Sequence, residues 1–180
     1  GPTVPNASTA NEALSILKTY SADLVDIPNA VVEHLQSGLN HPCTTATPIA
    51  VSNIVIGNNA VALEAAAAKA RELGYRVDSL GSDNQGVAVE VGRELAERAQ
   101  RIRDSDSQST IPTCILSGGE PVVRVVRTDQ PRKGGRNQEV VLAALERLWE
   151  DRMHQIAFLS GGTDGEDGPT DAAGALADEL

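Results

Sequence analysis

Short apolar runs alternate with amphipathic helical stretches from residue 51 onward, and this alternation restricts the fold more than any other feature of the sequence. Strands that alternate with helices form a mainly parallel sheet, which the helices cover on both sides. We therefore expect an α/β protein with a mainly parallel, Rossmann-like sheet and flanking helices. The predicted strands are 51–56, 75–80, 112–117, 122–126 and 155–159, and the fourth follows the third closely enough to form one antiparallel hairpin.

Several predicted helix boundaries carry residues with known preferences for helix ends. Asn58 or Asn59 is expected to cap a helix that ends at Gly74, and Gly38 is expected to stop an earlier helix that begins at Pro28. The predicted helices are 11–20, 28–37, 59–73, 87–102 and one that begins near residue 136; a further helix is expected from about residue 172.

The polar segment RDSDSQSTI at 103–111 is the best candidate for a domain boundary. It divides the chain into 1–110 and 111–180, the second being a partial α/β domain. The chain begins with Gly1 and ends inside a predicted helix. We therefore expect it to be an internal part of a longer protein.

The composition excludes several classes of function. With a formal net charge of −10, the chain is not expected to present a broad nucleic-acid surface, because phosphate backbones bind basic surfaces. Cys43 and Cys114 are too few and too far apart for a disulfide framework or a CxxC metal site, which suits a reducing compartment. No segment of the sequence has the length and apolar character of a membrane span, and no signal peptide is visible. We expect a cytoplasmic protein without nucleic-acid or membrane partners.

Three polar, glycine-bearing segments lie at the ends of predicted strands or helices, where α/β sheets bind their ligands. The segment KGGRNQE at 133–139 opens a helix and is typical of an anion site. The free amides of a first helical turn carry partial positive charge, and Gly134 and Gly135 allow a ligand to approach them closely. Lys133 and Arg136 add formal charge. The alternative is a surface helix entry in which Arg136 and Glu139 form an ion pair.

The segment SGGTDGEDGPTD at 160–171 concentrates carboxylates directly after a predicted strand. Such a cluster has little use in packing because like charges repel, but it can bind Mg²⁺ or accept a proton from a substrate hydroxyl. Asp164, between glycines at the end of a buried strand, is the functional candidate. For Asp171 we expect a capping role at the helix predicted near Ala172. The alternative treats the remaining carboxylates as part of a solvated turn.

The third segment, SGGE at 117–120, is less specific, because glycine pairs are common in tight turns. Ser117 lacks the GxSxG motif, and no histidine lies in a recognisable triad, so serine hydrolysis is disfavoured. An anion site together with a carboxylate cluster indicates phosphoryl transfer, a reaction that depends on positioning and charge neutralisation. The sequence contains no GxxxxGK[ST] motif, so it is not a P-loop enzyme.

The three segments together resemble the MOFRL domain, the C-terminal half of the glycerate 2-kinase family, some of whose members carry the label hydroxypyruvate reductase. The resemblance is carried by LSGGEPVVRV at 116–125, KGGRNQEVVLAAL at 133–145 and SGGTDGEDGPTDAAGA at 160–175. GPTVPNAST at 1–9 and NIVIGNNAVALEAAAAKARELGY at 53–75 are similar to the later part of that family's N-terminal domain. The resemblance implies that 1–110 is the later part of that domain and 111–180 a partial MOFRL domain.

The resemblance also implies an activity, ATP-dependent phosphorylation of D-glycerate at its 2-hydroxyl, with ATP and Mg²⁺ as cofactors. The expected partners are glycerate and a nucleotide, and a homodimer is a candidate assembly. Family segments with a catalytic lysine and nucleotide loops are expected to precede Gly1, and another to follow Leu180. Residues 1–180 alone are therefore expected to be inactive.

Carried onto this sequence, the resemblance implies that Arg136 contacts the substrate carboxylate or the transferring phosphate, and that Asp164 lies at the hydroxyl or the metal. Two other classes stay open, an NAD(P)H-dependent hydroxypyruvate reductase and a non-catalytic binding module. The absence of a GxGxxG motif after a strand counts against the reductase. The residues expected to form the substrate and phosphate pocket are Glu120, Lys133, Gly134, Gly135, Asn137, Glu139 and Gly165.

Overall fold

A computed structural model describes residues 8–21, 27–40, 51–105, 109–126, 129 and 132–179. The chain divides into two compact units, 1–55 and 56–180. The polar segment at 103–111 lies within the second unit. The predicted domain boundary near residue 110 remains a prediction, and Cys43 lies outside the described residues.

The first unit contains two helices that pack against each other, α1 (Ala10–Tyr20) and α2 (Asn29–Asn40). Thr9 and Glu12 form a capping box at the start of α1, where each side chain accepts a hydrogen bond from the backbone N–H of the other residue. The predicted stop at Gly38 is wrong, because α2 continues to Asn40. A Cβ at Gly38 would lie 3.2 Å from the Cβ of Ala10, so this glycine permits close packing of the two helices.

Residues 51–58 form neither a helix nor a strand, so the strand predicted at 51–56 is wrong. The side chains of Ile54, Val55 and Ile56 are 80%, 75% and 97% exposed. An apolar run indicates a segment suited to burial, but a strand also requires a neighbour that supplies hydrogen bonds along its length.

The second unit begins with α3 (Asn59–Glu72), which packs on a parallel pair of strands, β1 (Arg76–Ser79) and β2 (Thr113–Leu116). Asn58 caps α3 by accepting a hydrogen bond from the N–H of Val61, and Gly74 follows the helix with φ +88°, as the sequence indicates. In register, Arg76 faces Thr113 and Ser79 faces Leu116. The connection from β1 to β2 is the long helix α4 (Ala88–Ser105).

The strand and hairpin predicted at 122–126 are not formed. Residues 119 and 122 instead form single parallel bridges, Gly119 with Asn84 and Val122 with Val87. The chain after β2 therefore continues alongside the 84–87 segment in the same direction. This parallel continuation places SGGE at 117–120 beyond the carboxyl ends of β1 and β2.

The C-terminal part contains α5 (Arg136–Arg147) and an antiparallel pair of strands, β3 (Phe158–Gly161) and β4 (Gly174–Ala177). The helix predicted from residue 172 is wrong, since these residues turn into β4 and pair with β3. Helices α4 and α5 pack against each other, and α5 also packs on β3 and β4. The buried side chains of this core are Ala88, Val91, Ala96, Val140, Val141, Ala144, Leu148, Met153, Ile156 and Phe158.

An α/β fold with a parallel sheet and flanking helices is thus confirmed, whereas the Rossmann-like arrangement remains a prediction. In the part of the chain that the structure describes, no helix combines the length and apolar character required to cross a membrane.

Candidate functional site

Asp167 caps the N-terminus of α5 from a distant loop. Gly135 occupies the N-cap position and has no side chain to cap the helix. Asp167 supplies the missing acceptor: its Oδ1 accepts a hydrogen bond from the N–H of Asn137 (3.0 Å), and its Oδ2 accepts one from the N–H of Gln138 (2.8 Å). The predicted anion site at this helix therefore already holds an anion, and that anion belongs to the protein.

Burial and hydrogen bonding shift the pKa of the Asp167 carboxyl group in opposite directions. This residue is only 2% exposed, and burial alone would raise its pKa by disfavouring the charged form. The N–H groups and side chains of Asn137 and Gln138 donate hydrogen bonds to the residue and outweigh the effect of burial, so its pKa lies below the ordinary value. Asp167 is therefore a buried carboxylate that stays ionised at neutral pH.

The loops before α5 and after β3 touch each other at backbone level. A Cβ at Gly135 would overlap the carboxylate of Asp167, and a Cβ at Gly168 would overlap the carbonyl oxygen of Gly134. Gly168 also has φ +61°, a conformation that side chains other than glycine rarely adopt. These glycines permit the close approach that brings the Asp167 carboxylate to the amides of α5.

The Asn137 and Gln138 side chains extend this connection. Asn137 donates through Nδ2 to Asp167 Oδ1 (3.0 Å) and accepts through Oδ1 from the hydroxyl of Ser160 (2.7 Å) at the end of β3. Gln138 donates through Nε2 to the hydroxyl oxygen of Thr170 (3.1 Å), and Thr170 in turn donates to the carbonyl oxygen of Asp167 (2.8 Å). Asn137, a predicted pocket residue, thus uses its side chain to link α5 to β3.

Arg136 connects α5 to the loop after β2. Its Nη1 lies 2.8 Å from Oε1 of Glu120, and the side chains of the two residues are 38% and 73% exposed. Gly119, with φ +142°, allows this loop to follow the backbone of Asn84 closely. Two predicted site residues, Arg136 and Glu120, are therefore in direct contact, and the guanidinium remains accessible from solvent.

Asp164 lies in a tight turn on the surface. The N–H of Gly165 donates to the carbonyl oxygen of Gly162 (3.1 Å), and Asp164 Oδ1 accepts a hydrogen bond from the N–H of Glu166 (3.3 Å). Gly165 has φ +85°, which the turn requires. Asp164 and Asp167 thus belong to one short loop, but only Asp167 points into the protein.

The other predicted site residues have simpler surroundings. Lys133 is exposed, and Gly134, with φ +141°, lies in the loop before α5. Glu139 lies in the first turn of α5 and is half-buried; its Oε2 is inaccessible and has no hydrogen-bond partner among the described residues. Arg136 forms its ion pair with Glu120. The alternative ion pair between Arg136 and Glu139 at the start of the helix is therefore not formed.

The capping role expected for Asp171 is wrong, because no helix follows it. Thr170 instead closes the turn by accepting a hydrogen bond from the N–H of Ala172 (3.3 Å). Sequence analysis did not single out Asp167, because it lies among the other carboxylates of the 160–171 segment. A signal existed: an N-cap glycine cannot cap its own helix, so an acceptor from elsewhere was required.

A cavity of about 450 Å³ lies beside the loop after β2, between the strand ends and α4. Among its lining residues are Asn84 and Ser117, which are joined by a hydrogen bond of 3.3 Å from Asn84 Nδ2 to the Ser117 hydroxyl. Within the described ranges, no group of three or more His, Cys, Asp or Glu side chains could hold a metal ion.

Comparison with known proteins gives a consistent result. Residues 113–180 match the model of the MOFRL family. The chain is 33% identical to the glycerate kinase of Homo sapiens, in an alignment that covers 97% of this chain and 40% of that protein. It is 31% identical to the D-glycerate 2-kinase of Thermotoga maritima, with 99% of this chain and 40% of that protein covered.

A solved structure of a glycerate kinase is also similar to this chain. The crystal structure of a glycerate kinase from Thermotoga maritima matches with a TM-score of 0.68 at 30% identity, covering 99% of this chain and 40% of that one. The chain thus spans about 40% of the length of these relatives. Residues 113–180 are thus similar to the MOFRL family, and nearly the whole chain is similar to part of the glycerate kinases.

Proposed function

We propose that the gene product containing this chain is a glycerate 2-kinase, which transfers the γ-phosphate of ATP to the 2-hydroxyl of D-glycerate. The observation that carries the proposal is the similarity, along 99% of the chain, to a D-glycerate 2-kinase. The loops around the α5 N-terminus support it, because they combine an accessible guanidinium with exposed carboxylates.

Arg136 is the proposed anion-binding residue. Its guanidinium presents a planar set of donors that fits either a carboxylate or a phosphate. In the structure, Glu120 is paired with one nitrogen of the Arg136 guanidinium. The exposed Lys133 adds a second positive charge nearby in the sequence. In phosphoryl transfer, positive charge at the transferring group stabilises the transition state. Arg136 therefore binds either the glycerate carboxylate or the phosphate in transit.

Asp164 is the proposed residue at the reacting hydroxyl. An exposed carboxylate can accept the proton that the 2-hydroxyl loses as its oxygen attacks the γ-phosphorus. The neighbouring Gly165 leaves one side of this carboxylate free of a side chain. Glu120, Gly134, Gly135 and Glu139 shape the surrounding surface, whereas Asn137 acts through its link to Asp167.

Mg²⁺ is proposed as a companion of ATP, as kinase chemistry generally requires. Proteins commonly hold it through one or two carboxylates together with substrate phosphates, and Asp164 is the candidate for such a ligand. The described residues do not by themselves form a group of three or more such ligands. A cytoplasmic location and a homodimer likewise remain predictions.

The decisive experiment is a product assay on the complete gene product. With ATP and D-glycerate we expect formation of ADP and 2-phosphoglycerate, identified by phosphorus NMR, and L-glycerate serves as the control substrate. NADH oxidation with hydroxypyruvate, measured on the same preparation, would instead identify a reductase. Failure of both reactions would favour a non-catalytic binding module.

A further inference from the structure

Two amides at the start of α5, those of Asn137 and Gln138, are closed to external anions. Asp167 is 2% exposed and accepts hydrogen bonds from the N–H groups of both Asn137 and Gln138. The free amides of a helix N-terminus are the groups that bind phosphate in many α/β enzymes. Here a substrate phosphate would have to displace a buried carboxylate before it could use them.

The Asp167 carboxylate also determines how the Asn137 side chain is oriented. A carboxylate only accepts hydrogen bonds, so Nδ2 of Asn137 faces Asp167 and Oδ1 faces the hydroxyl of Ser160. The two sides of this amide group therefore connect the 162–171 loop and the end of β3 to α5. Asn137 is engaged in positioning and is not directed to a ligand.

The loop before α5 and the loop that carries Asp167 are in close contact. Gly135 touches the Asp167 carboxylate, and Gly168 touches the carbonyl of Gly134 with no space for a side chain. Arg136 directly follows Gly135 in the sequence, and Asp164 lies three residues before Asp167. A shift of the Asp167 carboxylate therefore changes the placement of both proposed reacting residues.

We propose that Asp167 is a positioning residue, the resident anion of the α5 N-terminus, which holds Arg136 and the turn carrying Asp164 around one site. This inference rests on the proposed function. Substrate anions then bind to the guanidinium of Arg136 and not to the amides of Asn137 and Gln138.

The first test is Asp167→Asn in the complete gene product. Asparagine keeps the size of the side chain but removes the charge and turns one acceptor into a donor. We expect kcat/KM for D-glycerate to fall about 10- to 100-fold, because small displacements of reacting groups have effects of this size. The loss should fall on kcat, with the KM for ATP changed less than about twofold. Asp171→Asn, an exposed carboxylate of the same loop, is the matched control and should retain activity.

A double-mutant cycle separates positioning from general destabilisation. If Asp167 acts through Arg136, then Asp167→Asn should cost much less in an Arg136→Ala background than in the wild type. Fully additive losses in kcat/KM would overturn the positioning role. If Asp167→Asn does not fold, Ser160→Ala tests the same network, because it removes the donor to Asn137. A several-fold fall in kcat at an unchanged melting temperature is expected, and unchanged kinetics would contradict the proposal.

Hydrogen exchange tests whether Asp167 holds the N-terminus of α5, without any reference to activity. The peptide that contains the first turn of α5 should exchange faster in Asp167→Asn than in the wild type or in Asp171→Asn. Equal exchange in all three proteins would overturn the resident-anion assignment. A wild-type protein that does not phosphorylate D-glycerate would instead refute the proposed function, while the exchange result would still decide whether Asp167 holds α5.

Discussion

The ionised state of Asp167 links stability to pH at the scale of one residue. Its pKa in the folded protein lies below the ordinary value of about 3.9, mainly because hydrogen bonds from Asn137 and Gln138 overcome the effect of burial. A carboxyl group with a lowered folded pKa stabilises the protein above the unfolded pKa, and this contribution is lost as the pH falls through the folded pKa.

We therefore expect Asp167→Asn to lower the free energy of unfolding at pH 7 by about 1–3 kcal/mol, the cost of leaving buried donors without their acceptor. Below about pH 4 the difference between wild type and variant should shrink, because the carboxyl group takes up a proton in the unfolded state first and in the folded state only at a lower pH. Urea denaturation between pH 7 and pH 3 measures both effects. A difference that is independent of pH would contradict the assignment of an ionised carboxylate.

Arg136 and Asp164 are the residues on which the proposed chemistry depends. We expect Arg136→Lys and Asp164→Asn each to lower kcat/KM for D-glycerate by at least about tenfold, a loss of ~1.4 kcal/mol or more in transition-state binding. Lysine keeps the charge at 136 but loses the planar set of donors. Steady-state kinetics and melting curves together show whether activity falls while the fold is retained.

The control for Arg136→Lys is Arg124→Lys, because Arg124 is also an exposed arginine paired with a glutamate, Glu90. Near-normal kcat/KM in both Arg136→Lys and Asp164→Asn would remove these residues from the site. A similar loss in Arg124→Lys would show that the effect of the Arg136 variant is not specific.

Among the elements, the crossing of α4 and α5 depends on one glycine. A Cβ at Gly92 would overlap the carbonyl oxygen of Val140 and lie 3.0 Å from the Cβ of Ala143. We expect Gly92→Ala to destabilise the protein by about 1–3 kcal/mol, since overpacking of a close contact outweighs the better helix propensity of alanine. Thermal unfolding measures the effect. Gly57→Ala, where a Cβ meets no atom within 4 Å, is the control, and a higher melting temperature for Gly92→Ala would contradict the prediction.

Local signals in the sequence predicted the three helices α3, α4 and α5 well, although they also predicted a helix near residue 172 that does not form. The cap at Asn58, the C-terminal Gly74 and the apolar spacing along α4 all act within a few residues, so they can be recognised without knowledge of the fold. The strand β4 could not be recognised in this way. Its residues, GALA, have no strand-like pattern, and they become a strand only because β3 pairs with them across a turn.

The candidate site shows the same limit. The glycines and basic residues before α5 predict a site for a ligand anion, whereas the structure shows the carboxylate of Asp167 at the helix N-terminus. The identity of that anion depends on a contact between residues about thirty positions apart, which no local pattern contains. Asp164 and Asp167 look alike in the sequence, and only the tertiary contact with α5 distinguishes the exposed carboxylate from the buried one.

Across the whole molecule, large apolar side chains remain exposed in both compact units. Ile54 and Val55 are exposed in the first unit, and Leu159 and Leu176, which face each other across β3 and β4, are 75% and 65% exposed in the second. Each compact unit thus has apolar surface that its own core does not cover. A net charge of −10 favours solubility in spite of this surface.

The last prediction concerns the polypeptide of residues 1–180 by itself. The chain spans about 40% of the length of its glycerate kinase relatives, and its described residues supply a guanidinium and carboxylates but no metal cluster. Phosphoryl transfer requires nucleotide, metal and acceptor to be positioned together. We therefore expect residues 1–180, folded as judged by circular dichroism, to show no ATP-dependent phosphorylation of D-glycerate under conditions in which the complete gene product is active. Turnover at a similar rate by both proteins would instead mean that these residues contain the whole catalytic site.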